Sequence, residues 1–219
     1  KEHGTNILEL AEIISMLSQE LINQLELRVK EIGSHIEKIK KNKIDTDYKC
    51  DGTPLTQADL YVNTQLISFL TKTKFPNIIS EENKNLSFKL RKAWQYYWLI
   101  DPIDGTKEFI NKGDDYTINI ALCFANQPVF SMIYCPAKKD IYVAQKGKGA
   151  QKNNQKISVN SHSNRTATIA VSKSHSDQSL KDTLQGVFAG TKISFISCGS
   201  SLKFCLIAEG KADFYPRLG

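Results

Sequence analysis

Trp98-Leu99-Ile100-Asp101-Pro102-Ile103-Asp104-Gly105-Thr106 is an apolar run that ends in two acids separated by a proline, then a glycine. The run Tyr96 to Ile100 reads as a strand, and Asn77 to Ser80 is a second apolar run ending in Glu81-Glu82. Both deliver carboxylates at their C-terminal ends, the edge where loops build sites in sheet proteins. Glu81, Asp101 and Asp104 would repel one another unless a cation joined them. A hard divalent ion such as magnesium prefers such oxygen ligands. Pro102 fixes the turn and removes a backbone donor, so both aspartates and the Ile103 carbonyl can face one point. Gly105 then leads into a short helix from Thr106 to Ile110, whose free N–H groups suit a phosphate. The competing reading makes Asp104-Gly105 a plain tight turn and Asp101 a helix cap. Glu81-Glu82 and the upstream stretch Thr53 to Asp59 weigh against it.

Working outward, Asn6 can cap a first helix with Glu9 as its reciprocal partner. Ile7, Leu10, Ile14, Leu17, Leu21 and Leu25 recur at helical spacing, and the stripe extends through Ile32, Ile36 and Ile39 until a lysine run breaks it. Lys49 to Pro54 reads as a loop, and Thr56 opens a second helix carrying Leu60, Leu66, Ile67 and Leu70. Phe75-Pro76 closes that region. Thr117 to Phe124, Val129 to Cys135 and Ile141 to Ala144 are expected strands, with turn chemistry at Asn126-Gln127-Pro128 and Ala137 to Asp140. Gly147 to Gln155 is expected as a hairpin tip or exposed loop. A second alternation follows: strand Thr168 to Val171, helix Gln178 to Gln185, strand Ile193 to Ser197, helix Leu202 to Glu209 and strand Ala212 to Tyr215. The expected class is α/β, with layered helices and mostly antiparallel sheets. The expected division is an N-terminal lobe over 1–150, carrying the metal site, and the start of a C-terminal lobe over 151–219.

The 219 residues are 41% hydrophobic and 24% charged, which excludes a disordered chain or a coiled-coil rod. No window approaches the roughly 18 uninterrupted apolar residues of a membrane span, and no signal peptide opens the chain. A cytoplasmic location is expected. The net charge of +6 includes a run at Lys38, Lys40, Lys41 and Lys43. No stripe of basic and aromatic residues marks a nucleic-acid surface, so the run is expected as a solvated face. Five cysteines without C-x-x-C spacing argue for reduced thiols rather than zinc or a disulfide framework.

These separated motifs resemble the magnesium-dependent, lithium-sensitive phosphatases of the inositol monophosphatase superfamily, and within it the CysQ-type 3'(2'),5'-bisphosphate nucleotidases. The resemblance spans roughly residues 45 to 219. It rests on Asp51 to Asp59, Ser80-Glu81-Glu82, Trp98 through Phe109, Val171 to His175, Gly199 to Cys205, Ala208 to Asp213 and Tyr215-Pro216-Arg217. It implies an αβαβα sandwich and two or three magnesium ions held by Glu81, Asp101, the Ile103 carbonyl and Asp104. It implies Asp59 and Thr106 as the pair that activates water, although Thr56 and Asp59 also read as a helix-capping pair. It further implies His175, Ser200, Lys203 and Arg217, with Gly105 and Thr106, as substrate contacts. The competing readings are a surface lysine at 203 and a loop-packed histidine at 175. A further metal-binding Asp is implied just beyond Gly219, so the C-terminal part is expected to be missing from the chain as given. If the protein lacks that ligand instead, a non-catalytic phosphometabolite-binding protein is the reading from another class.

The leading expectation is a monomeric or homodimeric enzyme. It would remove the 3'-phosphate from adenosine 3',5'-bisphosphate, with the sulfated relative as a further substrate, and bind neither nucleic acid nor membrane. An inositol or sugar phosphate phosphatase is the alternative. Lys203 and Arg217 would suit a second phosphate, with bidentate contacts from arginine, where the inositol enzymes carry an acid near Arg217.

Overall fold

The computed structural model describes residues 17–42, 44–83, 86–161, 166–173 and 178–217. The expected start of the first helix, with Asn6 and Glu9, lies outside them. Helix α1 (Gln19–Lys41) is capped by Ser18, whose Oγ accepts from the Leu21 N–H at 3.2 Å. Glu20 in its first turn and Lys38, Lys40 and Lys41 in its last complement the helix dipole. Its buried face is Ile22, Leu25, Val29, Ile32, Gly33, Ile36 and Lys40. That face is shifted by about one position from the expected stripe, leaving Leu21 and Ile39 only partly buried. Lys40 departs from the expected solvated run. It turns inward, pairs with Glu37 at 2.9 Å and lies over the Tyr116 ring, while Lys38 and Lys41 stay exposed.

A hairpin of β1 (Thr46–Tyr48) and β2 (Pro54–Thr56) borders the expected loop and leads into α2 (Gln57–Leu70). Leu60 is 48% exposed and does not belong to the buried face of α2, which is Ala58, Asp59, Val62, Asn63, Leu66 and Leu70. The extra polar members of that face mark where α2 meets the site rather than the core. β3 (Ile78–Ser80), a short helix α3 (Phe88–Arg91) and β4 (Tyr96–Asp104) follow, then α4 (Thr106–Ile110) at its expected place. β5 (Thr117–Phe124), β6 (Gln127–Cys135), β7 (Asp140–Gln145), β8 (Gly149–Lys152) and β9 (Gln155–Ile157) complete one sheet in the order β3-β4-β5-β6-β7-β8-β9. Only β3 and β4 run parallel; the other neighbours are antiparallel. The stretch expected as a tip or loop at 147–155 thus contributes a strand of its own. The sheet continues past residue 150 to Ile157, because the Asn153-Asn154 turn, both residues at positive φ, returns the chain as a further hairpin arm.

Beyond it, β10 (Thr166–Ser172) and β11 (Lys192–Cys198) pair in parallel, joined through α5 (Gln178–Val187), and α6 (Leu202–Ala208) follows. Parallel strands need such a long crossover, which a helix supplies. The expected strand over Ala212 to Tyr215 is reduced to one parallel bridge from Phe214 to Ile169. Side-chain alternation sets the layers. Phe130, Met132 and Tyr134 of β6 join α1 and α2 in one core. Ile133 and Cys135 point the other way and meet Leu202 and Cys205 of α6. α6 also touches β10, whose Ile169 and Val171 face Leu184 on α5. Helix, sheet, helix, sheet, helix is the resulting order. Among the described residues no helix is long and apolar enough to cross a membrane.

The α1 layer lies close to the sheet at Gly33. A Cβ there would overlap the Tyr134 ring and stand 3.1 Å from Pro136. Overpacking of this kind costs about 1–3 kcal/mol. Gly33→Val is therefore expected to lower stability by that amount in urea denaturation, whereas exposed Leu27→Val should cost well under half of it.

Candidate active site

The site begins with an irregularity in the sheet. β4 pairs with β5 at Asp101↔Asn119 and again at Asp104↔Thr117, so three steps on β4 oppose two on β5. Pro102 cannot donate to the ladder, and the extra residue is absorbed there as a bulge. The bulge lets Asp101 and Asp104 both approach one region instead of following strict strand alternation. Beside them, the Glu81 N–H donates to the Ile100 carbonyl at 3.1 Å, which extends the β3–β4 ladder and sets Glu81 next to Asp101. Ser80 is tied to α2 through its Oγ, which donates to Asn63 Oδ1 at 2.7 Å.

Helix α2 supplies the next carboxylate. Asp59 is buried, and its Oδ2 accepts from the Thr56 N–H at 2.8 Å and the Thr56 hydroxyl at 2.5 Å. This is a capping box with Asp in the reciprocal position. The other oxygen, Oδ1, faces the Thr106 hydroxyl at 3.4 Å, while that hydroxyl lies 3.1 Å from the Ile103 carbonyl. The capping and catalytic readings of Asp59 are therefore compatible, one on each oxygen. Gly105 makes the turn into α4 at φ +92°, where a Cβ would meet the Asp115 carbonyl at 2.9 Å and Ser200 Cβ at 3.2 Å. Only glycine fits both the angle and the space.

The electrostatics of the cluster are those of an acidic site short of positive charge. Burial, then the charges of Asp104 and Glu81, push the Asp101 carboxyl up to about 8. Burial likewise raises Asp59, against the hydrogen bonds from Thr56. It also raises Asp104, against Lys203 and the Ser201 N–H. Asp101 Oδ1 is buried without a hydrogen-bond partner. An orphaned carboxylate oxygen among raised acids fits a hard divalent cation, which would satisfy the oxygen and restore the ordinary ionisation. Glu81 is arranged differently, with its carboxylate 2.9 Å from Lys49 Nζ, which also holds the buried Glu82 at 2.7 Å. Burial alone would lower the Lys49 ammonium; the bonds to Glu82 and Glu81 outweigh it and hold it above its ordinary value. Among the described residues, no three acidic, imidazole or thiol groups are gathered as a finished ligand set.

The expected substrate contacts come from the second sheet. Ser200 is buried at φ +50°, and Lys203 is 6% exposed with Nζ donating to the Ser200 carbonyl at 2.5 Å. Its ammonium also stands 5.3 Å from the centre of the Tyr215 ring. Lys203 is thus not the surface lysine of the competing reading. Arg217 is exposed, two residues beyond Tyr215, and His175 lies outside the described residues. Three further residues escaped the sequence reading. Ser201 Oγ donates to Asn119 Oδ1 at 2.7 Å and lies 2.8 Å from Thr117 Oγ1, while the Asn119 amide favours the ionised form of Asp101. Asn119 carried a usable signal, as a lone amide inside the apolar strand Thr117–Phe124 and opposite Asp101. Lys49 and Ser201 carried none.

The inositol monophosphatase family model matches residues 17–219. A relative from Haemophilus influenzae, named 3'(2'),5'-bisphosphate nucleotidase CysQ, is 38% identical over 211 residues, covering 93% of this chain and 77% of its own length. The crystal structure of CysQ from Bacteroides thetaiotaomicron superposes with a TM-score of 0.72 at 33% identity, over 87% of this chain and 76% of that one. A structure of an IMPase/NADP phosphatase complexed with Mg2+ and phosphate gives 0.73 at 25% identity, over 89% and 73%. A matched domain over nearly the whole described chain, together with the bulged Asp-Pro-Ile-Asp strand end, makes this protein a member of the inositol monophosphatase family.

Proposed function

We propose that the chain is a magnesium-dependent, lithium-sensitive phosphomonoesterase that removes the 3'-phosphate of adenosine 3',5'-bisphosphate to leave AMP. The observation that carries the reading is the approach of Asp59 to Thr106 at the bulged end of β4, where Asp101 feels the charges of Asp104, Glu81 and Asp59, with buried Lys203 acting on Asp104. Glu81, Asp101, Asp104 and the Ile103 carbonyl would hold two or three ions, with Glu81 exchanging Lys49 for the cation. Magnesium, when bound, would supply charge neutralisation at the phosphoryl oxygens and a more acidic water. Thr106 Oγ, 3.4 Å from Asp59 Oδ1, would accept a share of the proton from the attacking water. Thr56 keeps Asp59 from turning away, since two hydrogen bonds hold its other oxygen. Lys203 and Arg217 would meet the second phosphate, with Ser200 and His175 completing the nucleotide contacts and the Gly105-Thr106 turn facing the phosphate to be cleaved. The nucleotidase names of the 38% identical relatives support this choice over an inositol phosphatase.

Phosphate release from adenosine bisphosphate with magnesium is expected to exceed release from inositol phosphate, and lithium should suppress it. Faster turnover of inositol phosphate would overturn the nucleotide assignment, and release from neither would favour a binding protein. Asp59→Asn and Thr106→Ala should each lower kcat by about 10²–10⁴-fold, the usual worth of a general base. Unchanged kcat in either would remove the proposed pair.

A pH dependence follows from Asp101. Its carboxyl is raised from 3.8 to about 8 in the folded metal-free chain. The folded state then holds a proton that the unfolded state has released, so stability falls as pH rises through that window. The raised Asp59 and Asp104 act in the same sense. Asp115, held near 2, acts in the opposite sense but only below that range. Urea midpoints of the metal-free chain should decline from about pH 4 to pH 8, and magnesium should restore them at pH 8. In Asp101→Asn the decline should flatten and the magnesium effect shrink.

A further inference from the structure

We propose that Asp115 is a positioning residue that docks the Gly199–Lys203 segment of the second sheet onto the metal-site turn of the first. Asp115 precedes β5, and its side chain is only 7% exposed. One oxygen, Oδ1, takes Lys138 Nζ at 2.6 Å, from the turn between β6 and β7. The other, Oδ2, takes Lys173 Nζ at 2.5 Å, just past β10, and the Gly199 N–H at 3.2 Å, just past β11. A single carboxylate is therefore bound by three separate elements, two of which belong to the second sheet. Lys138 and Lys173 are themselves 40% and 49% exposed. Their hydration is partly kept while the buried carboxylate is fully compensated, which is the condition for a buried charge to hold an arrangement rather than weaken it. Two lysines and an N–H hold the acid at about 2 in spite of its burial.

The backbone of the same residue is the contact point for both glycine turns. A Cβ on Gly105 would meet the Asp115 carbonyl at 2.9 Å, and a Cβ on Gly199 would meet it at 2.8 Å and Asp115 Cβ at 2.9 Å. The metal-site turn and the substrate segment thus both close on Asp115, and on each other where Gly105 faces Ser200. Downstream of Gly199, the segment carries Ser201, which bonds Asn119 opposite Asp101, and Lys203, buried with its Nζ on the Ser200 carbonyl. Freeing Gly199 would let Ser200, Ser201 and Lys203 drift as a unit, while the backbone of Glu81, Asp101 and Asp104 is held by the β3–β4–β5 ladder. The expected defect is in substrate binding rather than in the chemical step.

The full chain is tested by backbone amide hydrogen exchange and by steady-state kinetics in Asp115→Ala and Asp115→Asn, the second keeping the volume of the side chain. Exchange over 199–203 should rise by about tenfold in both, the loss of a charge-assisted bond, with β5 and β6 unchanged. The kinetic arm rests on the proposed nucleotidase activity: KM for adenosine bisphosphate should rise by about tenfold, and kcat should stay within about threefold because Asp59 and Thr106 are untouched. Unchanged exchange over 199–203 in the folded Asn variant overturns the proposal, as does a rise spread evenly over all strands. A fall in kcat at constant KM overturns it too. If the unaltered protein releases no phosphate, the functional reading fails, and the exchange comparison alone decides the role of Asp115.

Discussion

The bulge at Pro102 is the constraint from which the site follows. A regular strand would send Asp101 and Asp104 to opposite faces; the inserted residue lets both approach one region. The cost is a set of buried acids with too little positive charge, visible in the raised carboxyls of Asp59, Asp101 and Asp104. Neighbouring groups are arranged around that deficit. Thr56 takes one oxygen of Asp59, Asn119 supports Asp101, and Lys203 and the Ser201 N–H support Asp104. One oxygen of Asp101 is left without a hydrogen-bond partner.

Positive charge in this chain is deployed inward more than a net +6 suggests. Lys40, Lys49 and Lys203 are largely buried ammoniums, paired with the Gly113 carbonyl, with Glu81 and Glu82, and with the Ser200 carbonyl. Lys138 and Lys173 converge on Asp115. Attraction between exposed ions is weak, but the buried partner in each of these pairs would be costly to leave alone. Those that cross between elements, Lys40 to the Gly113 carbonyl, Lys49 to Glu81 and Glu82, and Lys138 and Lys173 to Asp115, act as register marks where hydrophobic contact alone would let the elements slide. Lys49 has a double place, because it holds both Glu81 and Glu82.

Much of the site was readable because it lies within short windows. Asp101 to Thr106 is one strand end and one turn, and the capping box Thr56–Asp59 is one helical start; local geometry places those groups without help from afar. Leu60 shows the limit of the same approach. Its spacing suits a buried stripe, but α2 spends that side on solvent and buries Asp59 and Asn63, which contact β3 and α4. Lys40 is a similar case: a lysine in a lysine run looks solvated until Tyr116, the Gly113 carbonyl and Asp114 are brought beside it. The strand at 149–152 was hidden because its glycine, lysine and asparagine content is that of a turn, and its pairing with β7 and β9 is the only thing that makes it a strand.

By itself the sequence determined the layered α/β class, the acids at the ends of β3 and β4, the glycine turn into α4 and the pairing of Asp59 with a capping threonine. Each is a matter of neighbours within a few residues, where backbone stereochemistry and periodicity act directly. Tertiary structure alone decided that Lys49 would hold Glu81 and that Ser201 would reach Asn119. It also decided that Lys138, Lys173 and Gly199 would meet on Asp115. Those partners are separated by 23 to 84 residues. Contacts across such distances are set by how strands order and layers stack, which no local pattern encodes.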